Sequence, residues 1–231
     1  MGRSKKLWYE KARLMLWSRE VLRHKSKKSI AALNEEFAYK EPLTKVERLS
    51  MRKIFQGFRD RGYMPRGGDP KLRTLEEIIQ AVEACPEFTH TVAFYNSKLW
   101  ELLRLESISE AEILKRIDDL FAKYGLQRRP IPNFVDYRSG RNPALDYLCP
   151  INPLELLDLQ RANLPTIETN YWSLLIFLHF RTSIVGRSER MFDNASCSLI
   201  STFERELGDA AQEFTPHLLK WIDEIEVIRV F

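Results

Sequence analysis

The sequence predicts an all-α protein, and three observations carry that expectation. Helix-start signals recur along the 231 residues, apolar residues repeat at helical spacing between them, and period-two alternation is nearly absent. At 44% hydrophobic and 29% charged residues, the composition is that of a globular chain, long enough for one large domain or two small ones.

The elements follow in order. A first helix over 5–24 carries a seam of Leu7, Leu14 and Val21, flanked by Trp8, Met15 and Leu22, with Leu16 and Trp17 directed elsewhere. Such a helix buries two sides and suits a join between domains or subunits. Ile30, Leu33 and Phe37 predict a helix over 28–38. Capping boxes at Thr44…Glu47, Thr74…Glu77 and Ser109…Glu112 start helices over 44–61, 75–84 and 110–124. A helix over 87–105 follows Pro86, and Asn152-Pro153 opens one over 153–162. Helices over 167–185 and 190–207 and a short one from Pro216 complete the series, with Gly125 and Gly208 as stops. The run from Tyr171 to Phe180 is the most apolar, but it is too short to span a bilayer and Arg181 follows it, so it reads as a buried helix. No secretory leader is visible, and Lys6 breaks the myristoylation pattern, so the chain is expected to be cytoplasmic with no membrane partner.

Charge divides the chain. Residues 1–70 hold 18 Lys and Arg against 8 Asp and Glu, and the remainder holds 18 against 24. That asymmetry places a domain boundary near residue 70, with a basic, anion-binding unit over 1–70 and an acidic helical bundle over 71–231 that dimerises or receives a protein partner. Two irregular stretches, 61–74 and 127–150, interrupt the helices. The second mixes Arg128, Arg129, Phe134, Tyr137, Arg138 and Arg141, a combination found in single-strand clamps but more often in surface connections.

The segment TKVERLSMRKIFQGFRDRG, Thr44 to Gly62, concentrates the functional signal. On one continuous helix, Met51, Ile54, Phe55 and Phe58 share an arc of about 100°. Lys45, Arg48, Arg52 and Arg59 share a neighbouring arc of about 60°, with Gln56 at its margin. One face packs while a row of cations meets phosphate, and Arg can grip guanine through two hydrogen bonds. The plain alternative is a solvated basic face. The segment is preceded by RHKSKK, with Lys27 and Lys28, and followed by GYMPRGGDPKLRTL, which can form two short extended pieces around a Gly-Gly-Asp turn.

Helix, turn, basic helix and basic hairpin together resemble the winged helix-turn-helix of bacterial transcriptional regulators, over roughly residues 26–75. The resemblance implies a third helix in the major groove and a hairpin tip at a phosphate or the minor groove. Carried over, Lys27, Lys28, Lys45, Arg48, Arg52, Gln56, Arg59 and Arg66 are the nucleic-acid-binding residues, and Arg66 and Lys71 flank the wing. The turn before the third helix is long and contains Pro42, and the wing strands are short, which are departures from the family pattern. Duplex DNA is the favoured target and RNA stays open; two-fold pairing of the protein would match the usual half-site geometry.

Nothing in the sequence specifies catalysis, a metal or another cofactor. His24, His90, His179 and His217 stand away from one another and from Cys85, Cys149 and Cys197, which read as reduced thiols. The acidic pairs Glu35-Glu36, Glu76-Glu77 and Asp118-Asp119 diverge on their helices, Gly67-Gly68 is an isolated turn, and Ser196-Cys197-Ser198 lacks a neighbouring base. Arg19 and His24 have the R-x4-H spacing that resembles HEPN ribonucleases, although Glu20 stands where that family favours Asn, His or Asp. The expectation is therefore a non-catalytic DNA-binding regulator or accessory factor. A helical subunit of a nucleoprotein or defence assembly that contacts RNA or an acidic partner is the alternative, and a HEPN-like ribonuclease the second.

Overall fold

The computed structural model describes residues 7–24, 29–63, 70–123, 125, 166–182 and 200–228. They are mostly helical, with one small parallel pair of strands. The chain divides into two compact units, one of residues 1–100 with 203–217 and the other of residues 101–202 with 218–231. The basic segment 1–70 lies within the first.

Helix α1, Trp8–His24, is the axis of the first unit. It contains neither Gly nor Pro, has Glu10 in its first turn and Arg23 and His24 in its last, and so agrees with the helix dipole at both ends. Its buried residues include Ala12, Leu14, Met15, Leu16, Trp17 and Val21, which lie around most of its circumference, as expected from the sequence. Leu7, expected in the seam, precedes the helix and is exposed. Helix α2, Ile30–Leu33, widens into a π-helical turn over Asn34–Ala38. Helix α3 is Lys45–Leu49 and α4 is Ile54–Arg61. Ile54, Phe55 and Phe58 of α4 are fully buried, and the Trp17 ring lies 6.1 Å from the rings of both Phe55 and Phe58. Each such side chain contributes about 1.5–3 kcal/mol through burial. Phe37 joins the cluster through Phe55 and meets Phe88 edge-on at 5.7 Å.

Helix α5, Leu75–Glu83, starts at the Thr74 capping box as expected and buries Ile78, Ile79 and Val82. The helix expected over 87–105 is instead three pieces: a 3-10 turn at Thr89–Thr91, α6 at Val92–Tyr95 and α7 at Leu99–Leu102. The carbonyls that would continue α6 are taken by side chains. Trp100 Nε1 donates to the Phe94 carbonyl at 2.7 Å, and Arg13 Nε donates to that of Tyr95 at 2.6 Å while its guanidinium sits 3.7 Å over the Tyr95 ring. Residues 203–217 close against α1 through Lys11–Glu213 at 2.5 Å and Arg19 Nη1 donating to the Glu206 carbonyl at 2.7 Å.

In the second unit, strand β1, Ser107–Ser109, feeds helix α8, Glu110–Lys123, whose first turn is capped by Ser109 as the sequence indicates. Ile113, Ile117 and Leu120 of α8 are buried, as are Tyr171, Leu174, Leu175 and Leu178 of the adjoining α9, Thr166–Thr182. Lys123 binds the buried Glu168 carboxylate at 3.0 Å. Residues 200–207, of which 203–207 belong to the first unit, are helical. Helix α10, Ala211–Glu224, whose residues up to 217 also belong to the first unit, begins five residues before the Pro216 expected to start it. The buried stripe of Ala211, Phe214, Leu218 and Ile222 carries the helix through Pro216, which is exposed, so the carbonyl left without a donor can meet water. Strand β2, Glu226–Ile228, pairs parallel to β1 with Ile108 opposite Val227. Strands of three residues are too short to leave a period-two signature. The expected helix over 153–162, the aromatic and basic stretch over 127–150, Cys149 and Cys197 lie outside the described residues. Among the described residues no helix is long and apolar enough to cross a membrane.

Gly62 ends α4 with φ 59°, and a Cβ there would lie 2.5 Å from the Lys11 carbonyl oxygen. Gly125 also has a positive φ, but a Cβ there meets nothing within 4 Å. Gly125→Ala is expected to destabilise by about 1 kcal/mol, the left-handed penalty alone. Gly62→Ala should cost clearly more, because α1 and α4 must separate. Urea denaturation midpoints of the two variants measure the difference.

Candidate nucleic-acid interface

The basic region is built from side-chain caps. Ser29 starts α2 by accepting from the Ala32 amide. After the π-helical turn the chain becomes extended at Tyr39, which pairs antiparallel with Leu72. Two bonds close the pairing: the Lys40 amide donates to the Lys71 carbonyl and the Arg73 amide to that of Ala38, both at 2.9 Å. Thr44 starts α3 with the reciprocal capping box, its hydroxyl accepting from the Glu47 amide while the Glu47 carboxylate accepts from the Thr44 amide at 2.8 Å.

The continuous helix expected over 44–61 is not formed. Four residues, Ser50 to Lys53, separate α3 from α4. The break has a defined cause. The buried Asn34 accepts from the Phe55 amide through Oδ1 at 2.8 Å, and the buried Tyr39 hydroxyl accepts from the Arg52 amide at 2.9 Å. Amides that a continuing helix would bond internally are thus satisfied by the π-helical turn and the extended residue after it, each cap being worth about 1 kcal/mol. The turn also re-aims α4 so that Ile54, Phe55 and Phe58 enter the aromatic cluster while Val46 and Leu49 are left 76% and 90% exposed.

With the helix divided, the four cations do not form a single row. Lys45 is exposed, and Arg48, also exposed, is held by Glu35 at 2.6 Å. Arg59 lies along the Asp60 carboxylate at 2.6 and 3.1 Å, and Gln56 also hydrogen-bonds that carboxylate. These bonds hold Asp60 below its ordinary range, with the Arg59 bond the largest cause. Arg59 also lies near Arg19 of α1, whose guanidinium is pushed down first by burial and then by this like charge. Lys71 engages Glu47. Among the described residues, Lys45, Lys53 and the Arg52 side chain have no hydrogen bond or ion pair. Lys53 is exposed. Lys27, Lys28 and Arg66 lie outside the described residues.

A second polar cluster sits where α1 ends. Glu20, buried, accepts from Arg23 through Oε2 and contacts His24 Nε2 through Oε1, both at 2.8 Å. Arg23 reaches on to Glu206. Burial pushes the Glu206 carboxyl up, but the bonds from Arg23 and Arg205 outweigh it and hold it below its ordinary value. The His24 ring meets the His90 ring edge-on at 4.0 Å. The two members of the R-x4-H spacing are each engaged inside the unit, Arg19 by the Glu206 carbonyl and His24 by Glu20. Ligand atoms of Glu20, His24 and His90 all lie within 4.8 Å of one another, a grouping that the spacing of the histidines along the chain does not specify. Half of that signal was present, since Glu20 and His24 are four apart on a helix and share a face. His90 joins them only through the fold.

Glu47 is lowered to about 2, first by its bond from Lys71 and then by its bonds from Thr44. Its ordinary value is 4.5, so the stability it supplies is present above that pH and is lost as pH falls toward 2. Glu47→Gln is expected to flatten the acid side of the stability profile across this window, as followed by urea midpoints at stepped pH. Comparison with protein-family models, with curated proteins and with solved structures finds no match for this chain.

Proposed function

We propose that residues 29–73 form a winged helix-turn-helix-like unit and that the protein is a non-catalytic regulator or accessory factor binding duplex DNA. The observation that carries this reading is the order of elements: helix, extended residue, helix, four-residue turn, helix, then a segment that returns to pair antiparallel with the first extended residue. In this arrangement α3 and α4 are the helix pair, and the pairing of Tyr39 with Leu72 closes the unit behind them. The groove-facing helix of the proposal is α4, shorter than the sequence suggested, with Lys53 at its N-cap and Gln56 in its first turn. N-terminal residues of such a helix are the ones placed to touch base edges, while the unpaired Lys45 and Arg52 supply phosphate contacts. Arg48, Arg59 and Lys71 are exposed or half-exposed and their surface carboxylate partners are worth little, so they can exchange those partners for phosphate.

A second reading, a non-catalytic subunit of a nucleoprotein assembly, is favoured by Val46 and Leu49. Two nearly bare aliphatic side chains one turn apart on α3 fit a protein surface better than a phosphate backbone.

Mobility-shift titration of the full-length protein at two salt concentrations separates the readings. The DNA reading expects duplex affinity that falls steeply with salt, and Lys45→Ala, Arg52→Ala and Lys53→Ala each weakening it several-fold and lowering the salt slope by about 1. A combined variant that binds duplex as tightly as the parent overturns the assignment. Absent duplex affinity, together with loss of a co-purifying partner on Leu49→Ser, supports the second reading.

A further inference from the structure

We propose that Glu20, His24 and His90 form a binding site for one divalent transition-metal ion, of which Zn2+ is the best fit. Two imidazoles and a carboxylate are the donor set of borderline cations; Mg2+ and Ca2+ prefer all-oxygen sites. The geometry is nearly assembled. Glu20 and His24 project from one face of α1, with Oε1 and Nε2 already 2.8 Å apart, and the 3-10 turn Thr89–Thr91 brings His90 over them. Bonds of about 2.0–2.1 Å in a tetrahedral site place ligand atoms about 3.3 Å apart. The three atoms lie within 4.8 Å, and His90, exposed at the surface, can rotate through the small distance that remains.

The surroundings match what a metal-bound carboxylate needs. Glu20 is buried with a side chain only 9% exposed, and its second oxygen accepts from Arg23. Arg23 is in turn fixed by Glu206. Such an outer shell orients a ligating carboxylate and raises affinity. Three protein ligands leave a fourth position on the solvent side, open to water or an anion. When bound, the ion pins the end of α1 to the turn that precedes α6, just before the chain leaves toward residue 29. This site does not depend on the nucleic-acid reading.

The test is isothermal titration of chelator-stripped, full-length protein with Zn2+, paralleled by thermal melts and by Co2+ absorption. One equivalent is expected to bind and raise the melting temperature, and Co2+ is expected to develop visible bands. His90→Ala, at an exposed turn position and so compatible with folding, should weaken Zn2+ at least ten-fold and abolish the thermal shift. His217→Ala should behave as the parent. No saturable Zn2+ binding by the parent, or parent-like affinity in His90→Ala, overturns the proposal.

Discussion

The first unit depends on the contact of Trp17 with Phe55 and Phe58. A fully buried indole packed against two fully buried phenyl rings that also meet each other fixes the position of α4 on α1. Large-to-small changes in such a cluster remove about 3–5 kcal/mol, a large share of a domain's net stability. Gly62 completes the arrangement by letting the end of α4 approach the Lys11 backbone. The junction sets the direction in which α4 leaves the basic turn.

Against that anchored helix, the break at Ser50 to Lys53 is a competition that tertiary structure wins. An uninterrupted helix would keep its own amide bonds, and the sequence favours it with a capping box at one end and an apolar stripe at the other. Asn34 and Tyr39 offer replacement acceptors, and burial of Ile54, Phe55 and Phe58 supplies the larger gain. The outcome redistributes charge. Arg48 goes to Glu35, Arg59 and Gln56 go to Asp60, and among the described residues the side chains of Lys45, Arg52 and Lys53 are left without such a partner.

The far end of α1 solves a different problem. A buried carboxylate must be paired to be tolerated, and Glu20 is paired twice, by Arg23 and by His24. Glu206 extends the chain of charges, and Arg19 adds a half-buried guanidinium whose Nε finds no acceptor among the described residues. An arrangement of this kind is demanding to maintain, and placing two histidines beside it gives the cluster a donor set as well as a structural role.

The sequence by itself determined that the protein is helical, that α1 is buried on more than one side, and where Thr44, Thr74 and Ser109 start helices, because capping and helical periodicity act within a few residues. It also marked residues 1–70 as basic, since charge is additive along a chain. Tertiary structure decided where helices stop. The 44–61 and 87–105 spans are broken by acceptors and donors arriving from Asn34, Tyr39, Arg13 and Trp100, one from six residues away and the others from 13 to 82 residues away. Which cations remain unpaired, and that His90 meets Glu20 and His24, were decided in the same way, because partners distant in sequence compete for the same polar groups only once the apolar core has brought them within reach.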